Sequence, residues 1–145
     1  KNPKELFASN QKWLVAREGE RILSLIPNDV WKYAVKIPAQ DWAHLNRALA
    51  RRKIALSVLL EEGFENAIRK HATPEWEKSF FALLTDVRVL PRGTISSPVE
   101  FFLYRDSALF ADWQQTIGVE IKNQNTINLL RGMFSALQQS ARTYR

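Results

Sequence analysis

Between Trp31 and His71 the spacing of apolar residues changes from a period of two to a helical period. From Lys32 to Ile37 the residues alternate, with Tyr33, Val35 and Ile37 on one face and Lys32, Ala34 and Lys36 on the other. That alternation predicts a short strand with one solvent face. Pro38 has no N–H to donate and a φ suited to a first helical turn, so it closes the strand and opens a helix. Trp42, Leu45, Ala48 and Leu49 recur at helical spacing, with Arg47, Arg51 and Arg52 off the stripe. A further run, Ile54, Val58, Leu59, Phe64, Ala67 and Ile68, predicts a second helix after a sharp turn near Lys53. The strand's backbone groups need a neighbour, and the pattern offers no second strand close by. The simplest partner is the same strand of a second chain, paired antiparallel across a dyad.

Helical patterns also dominate the flanks. Pro3 to Ile26 reads as one amphipathic helix or two, interrupted at Gly19 and stopped by Pro27 and Asn28. Thr73 and Pro74 open a helix carrying Trp76, Phe80, Phe81, Leu83 and Leu84. Val87 to Leu90 reads as the end of that helix or as a short strand, and Pro91, Arg92 and Gly93 form a turn. Ser97, Pro98 and Glu100 predict another helix start, running through Phe101, Phe102, Leu109, Phe110 and Trp113 towards Ile117, with Gly118 ending or kinking it. Asn123 or Asn125 opens the last helix, which buries Ile127, Leu129, Leu130, Met133, Phe134 and Leu137. The expected organisation is therefore an N-terminal helical extension (1–30), a strand-helix-helix unit (31–71) and a C-terminal helical accessory region (72–145), mainly α in class.

Charge changes this picture by marking one segment. The chain of 145 residues has a net charge of +6, with 21 basic and 15 acidic side chains. Residues 31–71 hold eight of those basic and four of those acidic groups, so +4 of the excess falls on the strand-helix-helix unit. That distribution favours a polyanionic partner, against the plainer reading of a solvated helix face.

The same stretch resembles the ribbon-helix-helix family, the Arc and MetJ type of DNA-binding dimers. The resemblance rests on the alternating strand Lys32 to Ile37, the proline after it, the stripe Trp42, Leu45 and Leu49, the apolar turn residue Ile54, and Ser57 leading into an apolar run; Gly63 and Ala67 are small where paired helices would pack closely. It implies one short intermolecular antiparallel strand per chain, a ribbon in the DNA major groove, and base-edge contacts from Lys32, Ala34 and Lys36. It further implies a phosphate held by the amides of Ala55, Leu56 and Ser57 at a helix start. Arg51, Arg52 and Lys53 would add attraction to the DNA backbone. The shared dimer core would be Tyr33, Val35, Ile37, Leu45, Leu49, Val58, Leu59 and Phe64. Two positions depart from the family pattern: the inter-helix turn carries Lys53 where a residue tolerating positive φ is usual, and Ala34 has no group with which to hydrogen-bond a base.

The resulting expectation is a homodimeric, sequence-specific transcriptional regulator that binds double-stranded DNA, with higher oligomers on DNA possible and a protein partner for residues 72–145. Antitoxins and relaxosome accessory proteins of plasmids share the family's fold and stay open as alternatives, as does an all-helical protein-interaction adaptor. No enzyme is expected: phosphate-loop, dinucleotide and nucleophile-elbow motifs are missing, Ser57 has no partner base, and His44 and His71 have no third ligand nearby in the sequence. The pairs Glu61/Glu62 and Glu75/Glu77 are too close in sequence to converge on one helix face. No cofactor or metal is expected from these motifs, and the absence of cysteine excludes disulfides and thiolate metal sites. That absence suits a reducing cytoplasm. No apolar run reaches the roughly 20 residues of a membrane span.

Overall fold

The computed structural model describes residues 2–17, 19, 21–34, 36–70 and 73–144. Helix α1 (Pro3–Val15) opens with the Asn2 side chain accepting a hydrogen bond from the Glu5 N–H, which satisfies one of the orphan donors of a first turn. Strand β1 (Arg21–Ile26) is followed by α2 (Asn28–Ala34), α3 (Ala39–Arg51) and β2 (Ala55–Glu61). Helices α4 (Phe64–Arg69) and α5 (Pro74–Leu83) lead into β3 (Leu84–Leu90). A meander follows, β4 (Val99–Leu103), β5 (Ala108–Asp112) and β6 (Ile117–Ile121), then the long helix α6 (Gln124–Ser140) and the short β7 (Arg142–Thr143).

These strands form one mixed sheet in the order β6-β5-β4-β1-β2-β3-β7. The central strands β1, β2 and β3 are parallel, so each connection between them must cross over, and each does so through a pair of helices. Side chains alternate between two cores. Ile22, Ile26, Leu56, Val58, Leu60, Val87 and Val89 face the layer of α1 to α5. Leu59, Leu90, Phe101 and Leu103 face the other way, towards Ile127 and Phe134 of α6. β2 sits centrally and is buried along almost its whole length, as expected of a parallel strand covered on both faces.

This architecture overturns the expected fold class and the ribbon-helix-helix resemblance. The protein is α/β, and strands from all three expected segments are hydrogen-bonded in a single sheet. Lys32 to Ala34 belong to the end of α2, and Lys36 and Ile37 to the turn that follows. Val35 and His71 lie outside the described residues. The true period there is helical: Trp31, Ala34 and Ile37 are buried at intervals of three. An intermolecular ribbon through Lys32–Ile37 has no strand to form it. The run from Ala55 to Glu61 is the central strand, not a helix, because a short continuous apolar stretch fits a strand buried on both faces as well as a buried helix. Ile37, Leu45, Leu49, Val58, Leu59 and Phe64, expected in a dimer core, are buried within the chain itself.

Other boundaries moved for the same reason. The expected helix at 97–117 is instead the meander β4-β5-β6, and the second half of the expected N-terminal helix is β1. Val87–Leu90 falls in β3, the strand alternative of the two readings. Thr73 does cap α5 through its hydroxyl, and Asn123 caps α6. The turn at Lys53 takes a positive φ of 59°. Lys53 N–H donates to Ala50 O and Ile54 N–H to Leu49 O, the paired bonds of a Schellman stop in which glycine is the usual residue.

Candidate functional site

The two ends of the parallel strands differ sharply in chemistry. At the carboxyl end, where open α/β sheets usually receive ligands, a buried carboxylate closes the structure. Glu61, 1% exposed, is the last residue of β2. Its Oε1 accepts the Asn28 N–H at 2.7 Å from the start of α2, and its Oε2 accepts the Ile95 N–H at 3.2 Å from the loop after β3. The Asn28 Nδ2 donates to Glu62 O at 2.8 Å, and Glu62 N–H to Leu90 O at 2.9 Å. Gly63 has a φ of 94° and lies under Arg92: a Cβ there would sit 2.6 Å from the nearest guanidinium nitrogen. Arg142 reaches Glu62 at 3.6 Å. Both oxygens of Glu61 are thus occupied by backbone donors, which makes it a staple between the ends of β1, β2 and β3.

Among the described residues, the amino end of β1 and β2 carries a row of exposed cations. Arg21 starts β1 directly opposite Ala55 of β2 in the register. The Gly19 N–H donates to Arg52 O at 3.1 Å, bringing the approach to β1 against the end of α3. Arg21, Arg51, Arg52 and Lys53 are all exposed there. The one described acidic side chain at the start of β3, Asp86, is paired with Arg88 at 3.5 Å. Side-chain ends that carry charge at a solvent edge attract polyanions with little desolvation cost.

Of the nine residues expected to contact DNA, three stand on this edge: Arg51, Arg52 and Lys53. Lys32, in the last turn of α2, and Lys36, in the turn that follows, are exposed but are separated from Arg51 by the 13 residues of α3, and their ammonium groups flank the Tyr33 ring at 5.4 and 5.7 Å. Ala34 is buried. Ala55, Leu56 and Ser57 lie in β2; Leu56 and Ser57 are buried, and all three pair in register with β1 residues in place of opening a helix. The phosphate cradle inferred from a helix start is therefore not formed by them. His44 is an exposed side chain of α3.

The sequence reading missed Arg21, Glu61 and Glu100. Arg21 belonged to a stretch read as helix. The alternation in Arg21–Ile26, with Ile22, Ser24 and Ile26 on one face, was the signal that could have found it. Glu61 and Glu100 were read as solvent or helix-start groups; a carboxylate next to a fully apolar run is the only hint that it sits at a buried strand end. Glu100, on β4, is buried, and its Oε1 accepts the Trp113 Nε1–H at 3.1 Å. Burial raises its pKa from 4.5 to about 7, an increase that the Trp113 hydrogen bond partly opposes. Among the described residues no group of three or more potential metal ligands comes together, and no helix is long and apolar enough to cross a membrane.

No family model and no curated protein matches the chain. In fold it is similar to the solved structure of TrmBL2, described as an archaeal chromatin protein that shows a novel mode of DNA binding. The two share 13% identity with a TM-score of 0.63 over 99% of this chain. The chain spans about half of that protein, 51% of its length.

Proposed function

We propose that the chain is a DNA-associated α/β module that holds duplex DNA by its phosphates and does not read bases. The observation that carries this reading is the exposed edge formed by Arg21, Arg51, Arg52 and Lys53 at the amino end of β1 and β2. Guanidinium and ammonium groups at a solvent edge bind phosphate by releasing condensed counterions, an interaction indifferent to sequence. The described function of the TrmBL2 neighbour supports the same direction. In this reading the chain acts by binding and not by catalysis.

In its finer form the module works as a homodimer in transcriptional regulation. Leu129 and Met133 of α6, 64% and 56% exposed, offer apolar surface to a second copy or to a protein partner.

Fluorescence anisotropy with a random-sequence duplex across a salt series tests the reading. Three phosphate contacts, from Arg21, Arg51 and Lys53, give a log-log salt slope of about −2.7. Replacing those three residues with glutamine should flatten the slope and weaken binding at least tenfold, with duplexes of different sequence behaving alike. Equal binding by the wild type and the triple variant would overturn the reading.

A further inference from the structure

The helical face of the sheet carries a half-open cavity of about 80 Å³ between α2, α3, α5 and the strands beneath them. Its wall is almost wholly apolar and rich in rings, including Trp31, Trp42, Trp76 and Phe80. Trp31 meets Trp76 edge to face at 6.2 Å, and Trp76 stacks on Phe80 at 5.0 Å, so the wall is built from rings already packed on one another. The Trp42 Nε1–H in this wall donates to Ala34 O at 3.2 Å, and Asn46, Trp31 and Glu100 also bring polar groups to it. Asn46 is engaged, donating through Nδ2 to Ser79 Oγ at 3.3 Å. The other two are not fully used. Trp31 is 8% exposed, and its Nε1–H is buried without a hydrogen-bond partner among the described residues. Glu100 accepts from Trp113 through Oε1, the one hydrogen bond its carboxyl makes among the described residues, and it is the one ionisable side chain lining the cavity.

An unmade hydrogen bond to a buried donor is costly, and so is burying a carboxyl with a single partner. Water is a poor remedy in this space, because an ordered water needs two to four polar partners and the wall is apolar. We propose that this cavity binds a small uncharged molecule with a short apolar body and a hydroxyl group, with room for about three non-hydrogen atoms on the scale of the roughly 150 Å³ that holds benzene. A hydroxyl donates to Glu100 or accepts from Trp31, so it satisfies either unfilled group. An ammonium serves only Glu100 and must give up its hydration in an apolar chamber. A carboxylate serves only Trp31 and faces the Glu100 carboxyl. The uncharged hydroxyl compound also suits a Glu100 whose raised pKa of about 7 leaves it only partly ionised at neutral pH. The site stands independently of the DNA reading, since it lies inside the helical layer and uses none of the exposed cations.

Ethanol, with three non-hydrogen atoms, is the probe. The whole chain labelled with nitrogen-15 shows its five indole N–H groups as separate reporters. Titration with ethanol should move the Trp31 and Trp113 indole resonances along a saturable curve. The Trp13 indole, hydrogen-bonded to Glu120 on the exposed side at 2.7 Å, should stay in place. Ala67 also lines the cavity; Ala67→Leu fills it and should weaken the response at least tenfold while leaving the Trp13 signal where it was. Should that variant fail to fold, the wild-type titration still decides. A drift of all five indoles together, an unmoved Trp31, or a saturable response to ethylammonium but none to ethanol would each overturn the proposal.

Discussion

The amino and carboxyl ends of the same three parallel strands have been put to opposite uses. At the carboxyl end, where the fold usually leaves a crevice, Glu61 is stitched to Asn28 and Ile95, and the Arg92 guanidinium covers Gly63. At the amino end, Arg21, Arg51, Arg52 and Lys53 are left at the surface. The difference shows that a fold's customary binding crevice is an opening that sequence can close. A buried carboxylate with two backbone donors is sufficient to close it, and the attraction for a ligand then comes from the opposite rim.

The largest expected effect attacks the closed end. Glu61→Leu strands the N–H groups of Asn28 and Ile95, each costing 1–3 kcal/mol when left unsatisfied and buried. Urea unfolding should show a loss of about 3–5 kcal/mol; a loss under 1 kcal/mol would mean that the staple holds nothing. A second buried carboxyl sharpens the contrast. Glu100 has one hydrogen bond where Glu61 has two, and its pKa stands at about 7. Below pH 4.5 the folded and unfolded chains both hold this proton, so it has no effect on stability. Between pH 4.5 and 7 the unfolded chain releases the proton and the folded chain keeps it, so stability falls, and the penalty levels off above pH 7. Glu100→Gln should therefore stabilise the protein at pH 8.5 by an amount on the order of 3 kcal/mol, and hardly at all at pH 4. A pH-independent difference would contradict the raised pKa.

Smaller effects are expected at the open end, because its groups are solvated. Glutamine at Arg21, Arg51 and Lys53 together should leave the urea midpoint within about 0.5 kcal/mol of wild type while reducing duplex affinity. Unfolding of this variant would show instead that the cations support the fold. Least of all, Lys53→Gly relieves a non-glycine residue held at positive φ and should stabilise the chain by about 1 kcal/mol. A destabilised Lys53→Gly would mean that the lysine side chain outweighs its backbone strain.

Capping chemistry was legible in the sequence and strand chemistry was not. Thr73 with Pro74 and Asn123 each mark a helix start because a side-chain oxygen must face an orphan N–H within three residues, a local requirement. The turn at Lys53 was legible for the same reason, since the stop after α3 requires positive φ whichever residue is present. Ala55–Glu61 and Phe101–Phe110 depend on partners far along the chain. Leu59 is apolar because α6 lies on one side of β2, and Val58 because the α1 to α5 layer lies on the other. Neither neighbour is visible within the segment. Lys32–Ile37 misled in the opposite sense: Tyr33, half-buried, and Ile37 imitated an alternating face, while Trp31, Ala34 and Ile37 carried the true one. Of the expected site, Arg51, Arg52 and Lys53 fall together on an exposed edge because they are contiguous. Lys32 and Lys36 were joined to them only by a ribbon that does not form.

The most direct measurement is a backbone amide chemical-shift map of the whole chain titrated with a short duplex at low salt. If phosphates are held at the amino end, the shifts should cluster at Arg21 and from Arg51 to Ile54, with Glu61 to Gly63 and Arg92 unmoved. Shifts centred on Glu61, Gly63 and Arg92, or spread over α6 with none at Arg21 and Lys53, would contradict that assignment.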